Sequence, residues 1–503
     1  MRVVARAWKV GALLTCLLAT IVVAADPAVT VLNGTYEGLY LSSFDQDIFL
    51  GIPYAQSTGG LNRFRIPQSL NSTWNGTRPA KQYGDTCPDP SDADLSMSED
   101  CLSINIVGTS ALPNYNLTYL VQRSVEIGKP VIATSINYRK GAWGMLYSQE
   151  IQGTGNTNLA LRDMRKGLAW VSENIEAFGG DKDGVTIWGE SAGSFAVGQL
   201  LMSYGGRTDN LFHRSIQESG SAATAWYNGT DWYQPIYDNI VDKTNCTDQV
   251  DTLDCLRTVP YETMLPLLAA PSQEPGWYPI VDGHIIPNYP TELLKSGRFA
   301  HIPHLYGTNS DEGTDNAPAG SVINTDTQLY DYINGSTGFD FPDSVIRQQG
   351  LQFKRIAAIM GDAFYHATRL SDARAYSKYS PTYIYRFNTL PWQSNNTTAR
   401  AYKGVAHFTE VAFVFANPNF YGPWPEYKAL SDEMSAQWIN FVAGGNPNAE
   451  GLPSWPVYNA SANGLDLVIQ AKGRGYNGSY VEEDTWRLKG REFLSQWARR
   501  RHV

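Results

Sequence analysis

Residues Gly189-Glu190-Ser191-Ala192-Gly193 set one serine between two glycines in the pattern G-x-S-x-G. Such a serine can sit at the tip of a sharp strand-to-helix turn, with its hydroxyl held where a base can reach it. The pentapeptide alone is a weak signal, and its flanks strengthen it. Val185-Thr186-Ile187-Trp188 reads as a strand, and Ser194 to Met202 reads as a helix. The turn needs small residues on both sides of the serine so that the two backbones can approach. A serine hydroxyl is a poor nucleophile until an imidazole accepts its proton, and the imidazole needs an acid to fix its tautomer. After such an elbow the acid and then the histidine follow in chain order. All 7 histidines lie beyond Ser191: His213, His284, His301, His304, His366, His407 and His502. Spacing does not choose among them. His301 and His304 resemble a metal pair, but no Cys, Asp or Glu stands at ligand spacing, so they read as ordinary loop histidines and no metal is expected.

The elements that would hold this chemistry alternate along the chain. Leu102 to Val107, Val131 to Tyr138 and Val185 to Trp188 are short β-branched or apolar runs of the kind that form buried strands. Leu159 to Phe178 has helical periodicity, with Arg162, Asp163, Arg165 and Lys166 on its polar side. Strands alternating with helices predict an α/β fold with a parallel sheet. There is no fixed-period repeat, low-complexity tract or charge run, so 26–503 reads as one continuous domain.

Of 503 residues, 43% are hydrophobic and 17% charged, which excludes a disordered chain. A formal charge of -10 leaves no polybasic surface, so nucleic acid is excluded as a partner. The 14 Trp and 29 Tyr suit either a filled core or a pocket for a small organic ligand. Arg2, Arg6 and Lys9 precede an apolar run from Val10 to Val23 and then Ala24 and Ala25, the pattern of a secretory signal peptide over 1–25. No later stretch is long and apolar enough for a stable membrane span. Cys16 leaves with the signal, and the short separations among the other four favour disulfides Cys87–Cys101 and Cys246–Cys255. N-x-[ST] glycosylation motifs stand at Asn33, Asn71, Asn75, Asn116, Asn228, Asn245, Asn334, Asn395, Asn396, Asn459 and Asn477. Together these features predict a secreted, extracellular glycoprotein.

Ser98-Glu99-Asp100-Cys101-Leu102-Ser103-Ile104-Asn105-Ile106 resembles the E-D-C-L-x-[IL]-[NS]-[IV] signature of the type B carboxylesterase and lipase family, which includes cholinesterases and fungal lipases. Phe178-Gly179-Gly180-Asp181, continuing through Val185 to Ser194, is similar to that family's nucleophile signature. Phe49 to Ala55, Asn137-Tyr138-Arg139 and Trp438 to Phe441 extend the likeness over nearly all of the chain after the signal. The resemblance implies an α/β-hydrolase fold and an active site of Ser191, Glu312 and His407. Glu312 falls in Asp311-Glu312-Gly313, and His407 falls just before the apolar Val411 to Phe415. Glu312 would orient the ring, His407 would act as base and then acid, and Ser191 would form the acyl-enzyme. Glu190 resembles a buried family acid that would tune the field of the site. The same two disulfide loops are implied.

One departure is marked. Between the strand ending near Val107 and the helix before Lys129-Pro130, the family has a central strand and a Gly-Gly-Gly-Phe loop. Here Ile104-Asn105-Ile106-Val107 runs directly into Gly108-Thr109-Ser110. An oxyanion would keep the N–H of Ala192 but lose the loop donors, each worth about 10² to 10³ in rate. The sheet would lack one central strand, leaving a gap of about 9 to 10 Å unless another segment fills it or the strands close up. The expected activity is cofactor-free hydrolysis of a small-molecule carboxylic ester, and the missing loop reads as an incomplete gene model or splice form, ahead of impaired catalysis or a hole rebuilt from other residues. A non-catalytic cholinesterase-like binding protein is the alternative. Acyl and alcohol preference and oligomeric state are not legible. Pro88 to Asp100, 13 residues and acidic, is shorter than the lid of the family lipases and implies action on dissolved esters.

Overall fold

The computed structural model describes residues 26–89, 94–106, 113–225, 227–269, 276–318, 323, 325–337, 352–392 and 403–500. The expected signal peptide 1–25, the Val107–Gly108 junction, Asn395, Asn396 and His502 lie outside the described residues.

Strands β1 (Ala28–Val31), β2 (Gly34–Glu37) and β5 (Thr77–Pro79) form a small three-stranded sheet at the start of the chain. Strands β3 (Leu39–Leu41), β4 (Gln46–Pro53), β6 (Ser103–Ile106) and β7 (Thr134–Ile136) form a four-stranded sheet, antiparallel throughout. The larger sheet has six strands. They are β8 (Thr186–Glu190), β9 (Arg214–Glu218), β10 (His304–Asn309), β11 (Thr382–Phe387), β12 (Leu465–Ile469) and β15 (Tyr480–Glu483), in the order β15-β12-β11-β10-β9-β8. All are parallel except β15. A short ribbon joins β13 (Lys472–Gly473) to β14 (Tyr476–Asn477).

Strands β10 and β11 are buried on both faces, as covering helices require. Tyr306 of β10 and Ile384 of β11 point to one side, into the core formed with helices Leu159–Asn174 and Ala192–Met202. Leu305, Tyr383, Tyr385 and Phe387 point to the other, against Leu430, Met434 and Trp438 of helix Pro425–Gly444. This alternation of period two makes each strand serve two cores. Fully burying one such side chain is worth about 1.5–3 kcal/mol, so the layers supply most of the rigidity beneath the strand ends.

The α/β expectation holds, while the central sheet comes in two parts. Among the described residues β7 pairs only with β6, and β8 pairs only with β9. The outer edges of β7 and β8 therefore have no strand partner. Their side chains show the consequence. All six residues of β10 and of β11 are buried, whereas Thr134 is exposed, Ser135 and Ile136 are half-buried, and four of the five residues of β8 are half-buried. The expected buried strand Val131–Tyr138 shrinks to Thr134–Ile136, because only that segment has a neighbour to pair with.

Two further expectations need correction. In helix Leu159–Asn174, Asp163 and Arg165 face inward: Asp163 is fully buried and receives Nε (2.8 Å), Nη2 (2.6 Å) and the backbone N–H (3.1 Å) of Arg139. Such a fork satisfies the carboxylate inside the core, which periodicity of polarity does not reveal. His304 is no loop residue. It opens β10, fully buried, with Nδ1 2.7 Å from Ser215 Oγ and its ring stacked on Tyr376, and burial lowers its pKa to about 3. Both disulfides form as expected. Behind the first, Arg63 binds Glu99 bidentately (2.6 and 2.7 Å) and reaches the carbonyls of Leu256 and Val259, joining the two loops. Of the glycosylation motifs, Asn71, Asn75, Asn245, Asn459 and Asn477 are exposed; Asn33, Asn116 and Asn228 are half-buried, Asn228 with its amide nitrogen inside; Asn334 lies in helix Asp326–Thr337.

Candidate active site

Strand β8 ends at Glu190, and helix Ala192–Met202 starts two residues later, so the chain must reverse direction at Ser191. It does so with φ 54° and ψ -119°, a conformation that costs on the order of 1–3 kcal/mol in a non-glycine residue. Surrounding contacts hold it: Ser191 N–H donates to Glu218 O (2.9 Å), and Phe195 N–H donates to Ser191 O (3.0 Å). Glycine is needed at position 189, where a Cβ would meet Gly193 C at 2.2 Å, and at position 220, where it would meet Ser191 O at 2.6 Å. A Cβ at Gly193 would meet open space, so the expected close approach rests on Gly189 rather than on both glycines.

Glu312 lies in the turn directly after β10 and is fully buried. Its Oε1 accepts Asn309 N–H (2.6 Å) and Ser219 Oγ, and its Oε2 stands 2.6 Å from His407 Nδ1. Two backbone-linked bonds fasten the histidine loop to the acid turn, Asp311 N–H to Val405 O and Val405 N–H to Asp311 Oδ2, each 2.9 Å. Asn309 Nδ2 donates to Ala406 O (3.0 Å) and to Glu410. The ring of Tyr365 lies 4.8 Å from that of His407. It is carried by a π-helical turn, Asp362–His366, set between helices Gln352–Gly361 and Ala367–Tyr376. Such insertions commonly re-aim one side chain at a functional site.

The structure thus brings Glu312 and His407 together. It does not join His407 to Ser191: no hydrogen bond links them among the described residues, and Nε2 stands 3.2 Å from Glu190 Oε1. The imidazole therefore has a carboxylate near each nitrogen, and it is hydrogen-bonded only at Nδ1, to Glu312. Burial opposes charge on the ring, but the Glu312 carboxylate with its hydrogen bond, and then Glu190, outweigh it and push His407 up to about 10.

Three further acids surround this pair. Burial, with Glu410 adding repulsion, raises Glu218 well above the usual range; its Oε1 accepts Trp438 Nε1–H at 2.6 Å. Burial and the Glu312 charge raise Glu410 to about 7. Burial likewise raises Glu190, with His407 opposing. Glu218, Ser219, Asn309, Tyr365 and Glu410 carry no site signal of their own in the sequence, because only tertiary packing makes them neighbours of Glu312 and His407. The spacing His407-x-x-Glu410, one helical turn, is the one local signal that could have found Glu410.

Ala192 opens helix Ala192–Met202 and is exposed, and its N–H is one of the first-turn donors that have no partner within the helix. The Gly-Gly-Gly-Phe position falls at 107–112, outside the described residues. Among the described residues no group of three His, Cys, Asp or Glu side chains is arranged to hold a metal, and no helix is long and apolar enough to cross a membrane.

The family model for carboxylesterases matches residues 25–336 and 345–483. Secreted lipase 1 of Botryotinia fuckeliana is 32% identical over 89% of this chain and 89% of its own length. The inactive carboxylesterase-like protein VdtD of Byssochlamys spectabilis is 29% identical over 90% and 91%. The crystal structure of Aspergillus niger EstA superposes with a TM-score of 0.79 at 26% identity, covering 95% of this chain and 99% of that one.

Proposed function

The chain belongs to the type B carboxylesterase family, and from that membership we propose that it is a secreted serine hydrolase cleaving carboxylic esters through Ser191, Glu312 and His407. The observation that carries this reading is the 2.6 Å contact of Glu312 Oε2 with His407 Nδ1 beside a serine on a strained strand-to-helix turn. In the reaction Ser191 Oγ gives its proton to His407 Nε2 as it bonds the ester carbonyl carbon. The carbonyl electron pair moves onto oxygen, facing Ala192 N–H. Collapse expels the alcohol, protonated by Nε2, and leaves an acyl-serine. Water then repeats the sequence and frees the acid. Three side chains and backbone donors suffice for each step, so neither metal nor cofactor is required.

Export is supported by the 1–25 leader pattern, the two disulfides and the exposed glycosylation motifs, and relatives named secreted lipases agree with it. The remaining 26–503 would form one hydrolase domain. Hydrolysis of a dissolved aryl ester by the purified chain, abolished in Ser191→Ala, is the test; a Ser191→Ala rate equal to the parent rate overturns the assignment.

A second reading, a non-catalytic binding protein, is favoured by the edges of β7 and β8, which have no strand partner among the described residues, and by a relative named as inactive. A folded chain that neither turns over esters nor reacts with a fluorophosphonate would select it.

A further inference from the structure

Phe408 follows His407 directly and has φ 71°, in the left-handed region that glycine enters freely and other residues seldom do. Ala406 O accepts Thr409 N–H (3.4 Å) and the Thr409 hydroxyl (2.7 Å), so His407 and Phe408 are the central residues of a tight turn. A positive φ at the second central place ordinarily goes with glycine or asparagine. The turn therefore does not call for a large aromatic side chain, and neither does the core. Phe408 is half-buried, and among the described residues it belongs to none of the hydrophobic clusters. Its ring instead meets the edge of Tyr115, 5.4 Å between centroids, and Tyr115 is likewise half-buried and outside those clusters. We propose, on the basis of the ester-hydrolase reading, that Phe408 and Tyr115 form the wall of the alcohol subsite and select esters whose alcohol carries a flat aromatic ring.

The place of the pair follows from the route of the proton. His407 Nε2 protonates the departing alcohol, so the alcohol must leave from the space in front of that nitrogen. Glu190 marks this space, with Oε1 3.2 Å from Nε2. Tyr115 stands close enough to Glu190 to respond to it: burial pushes the phenol up, and the Glu190 charge, then Tyr138, add to the rise. Phe408 reaches the same place from the histidine side, since it is the next residue and its ring touches Tyr115. Tyr115 is carried on a fixed turn, where Pro113 O accepts Asn116 N–H (3.3 Å) and Asn417 Nδ2 (3.2 Å). His407 is held without the pair, by Glu312 at Nδ1, by the bonds between Asp311 and Val405, and by the ring of Tyr365. The two rings are thus left to face a substrate. A flat ring on the alcohol can pack against them edge to face at the separations of about 4.5–7 Å that aromatic pairs prefer, which a saturated alcohol does not match.

The test compares benzyl butyrate with methyl butyrate, which give the same acyl-enzyme and differ only in the alcohol. For the full chain, Phe408→Gly and Tyr115→Leu, kcat/KM is measured on each ester, with near-UV circular dichroism as the check on folding. Glycine suits φ 71°, so Phe408→Gly removes the ring while the turn keeps its backbone. The parent is expected to favour the benzyl ester. The benzyl-to-methyl ratio of kcat/KM should fall about tenfold or more in Phe408→Gly and about threefold or more in Tyr115→Leu, through a higher KM for the benzyl ester. An unchanged ratio, or an equal loss on both esters, overturns the proposal. Binding of benzyl alcohol, followed by NMR titration of the parent and of Phe408→Gly, separates this proposal from the reading beneath it. A parent that cleaves neither ester yet binds benzyl alcohol about fivefold or more tighter than Phe408→Gly keeps the aromatic wall and refutes the hydrolase reading. Absence of turnover with equal binding in the two chains refutes both.

Discussion

Replacing Glu312 with Gln changes one oxygen for NH₂, and the structure determines which way the amide must turn. Glu312 is fully buried and meets three donors: Asn309 N–H and Ser219 Oγ at Oε1, and His407 Nδ1 at Oε2. The Asn309 backbone N–H can only donate, so the amide oxygen must face it and the NH₂ must face His407. The imidazole then accepts at Nδ1 and carries its proton at Nε2, the tautomer that cannot take a proton from Ser191. In a serine-histidine-acid site the wrong tautomer lowers turnover by about 10⁴. The expected result for Glu312→Gln is therefore a loss of about 10⁴ in kcat/KM on a dissolved aryl ester, with near-UV circular dichroism unchanged and slower fluorophosphonate reaction at Ser191. The pH dependence of stability carries the same signature. His407 is raised from 6.5 to about 10, so its contribution is complete below about pH 6.5 and disappears as pH rises through 10. A shift of that size corresponds to several kcal/mol in order of magnitude. Without the Glu312 charge the decline over that window becomes shallower in urea titrations. A Glu312→Gln chain with kcat/KM within tenfold of the parent refutes the assignment of Glu312 as the orienting acid.

Inserting an apolar strand and a Gly-Gly-Gly-Phe loop between Val107 and Gly108 should raise kcat/KM on an activated ester at least about 10²-fold, since each oxyanion donor is worth about 10² to 10³; comparable rates would show that other residues already supply the donors. Asp163→Ala leaves Arg139 buried without its fork, and should lower the unfolding free energy by about 3–5 kcal/mol in urea; a loss below about 1 kcal/mol contradicts the buried pair. The segment Pro88 to Asp100 is too short to cover a broad apolar mouth, so the rate should level off rather than jump when substrate passes its solubility limit.

Residues of the site differ in how legible they are in the sequence. The elbow at Ser191 was legible because its strand, turn and helix are contiguous, so local pattern and local structure coincide. Glu312 and His407 were reached only through the family resemblance, since each is one of several acids or histidines of equal standing in spacing terms. Asp163 was misread because a polar residue on a helix signals solvent only when no buried Arg139 waits across the core. His304 was misread because its stacking on Tyr376 and its bond to Ser215 join segments 70 to 90 residues apart. The divided sheet is consistent with the departure noted after Val107, although the strand ends themselves, Ile106 and Thr134, depend on pairing that no single segment encodes. Glu190 is visible as an acid beside the nucleophile; its approach to His407 Nε2 depends on a side-chain direction that only the folded site sets.

The central claim is that Ser191 carries the acyl group. The most direct measurement is rapid quenching of the purified chain with an aryl ester at early time, followed by digestion and mass spectrometry of the acylated peptide. The account predicts one acyl group on the peptide containing Gly189-Glu190-Ser191-Ala192-Gly193, located on Ser191 and absent in Ser191→Ala. Acyl label on another residue while Ser191 stays unmodified, or turnover undiminished in Ser191→Ala, would contradict it.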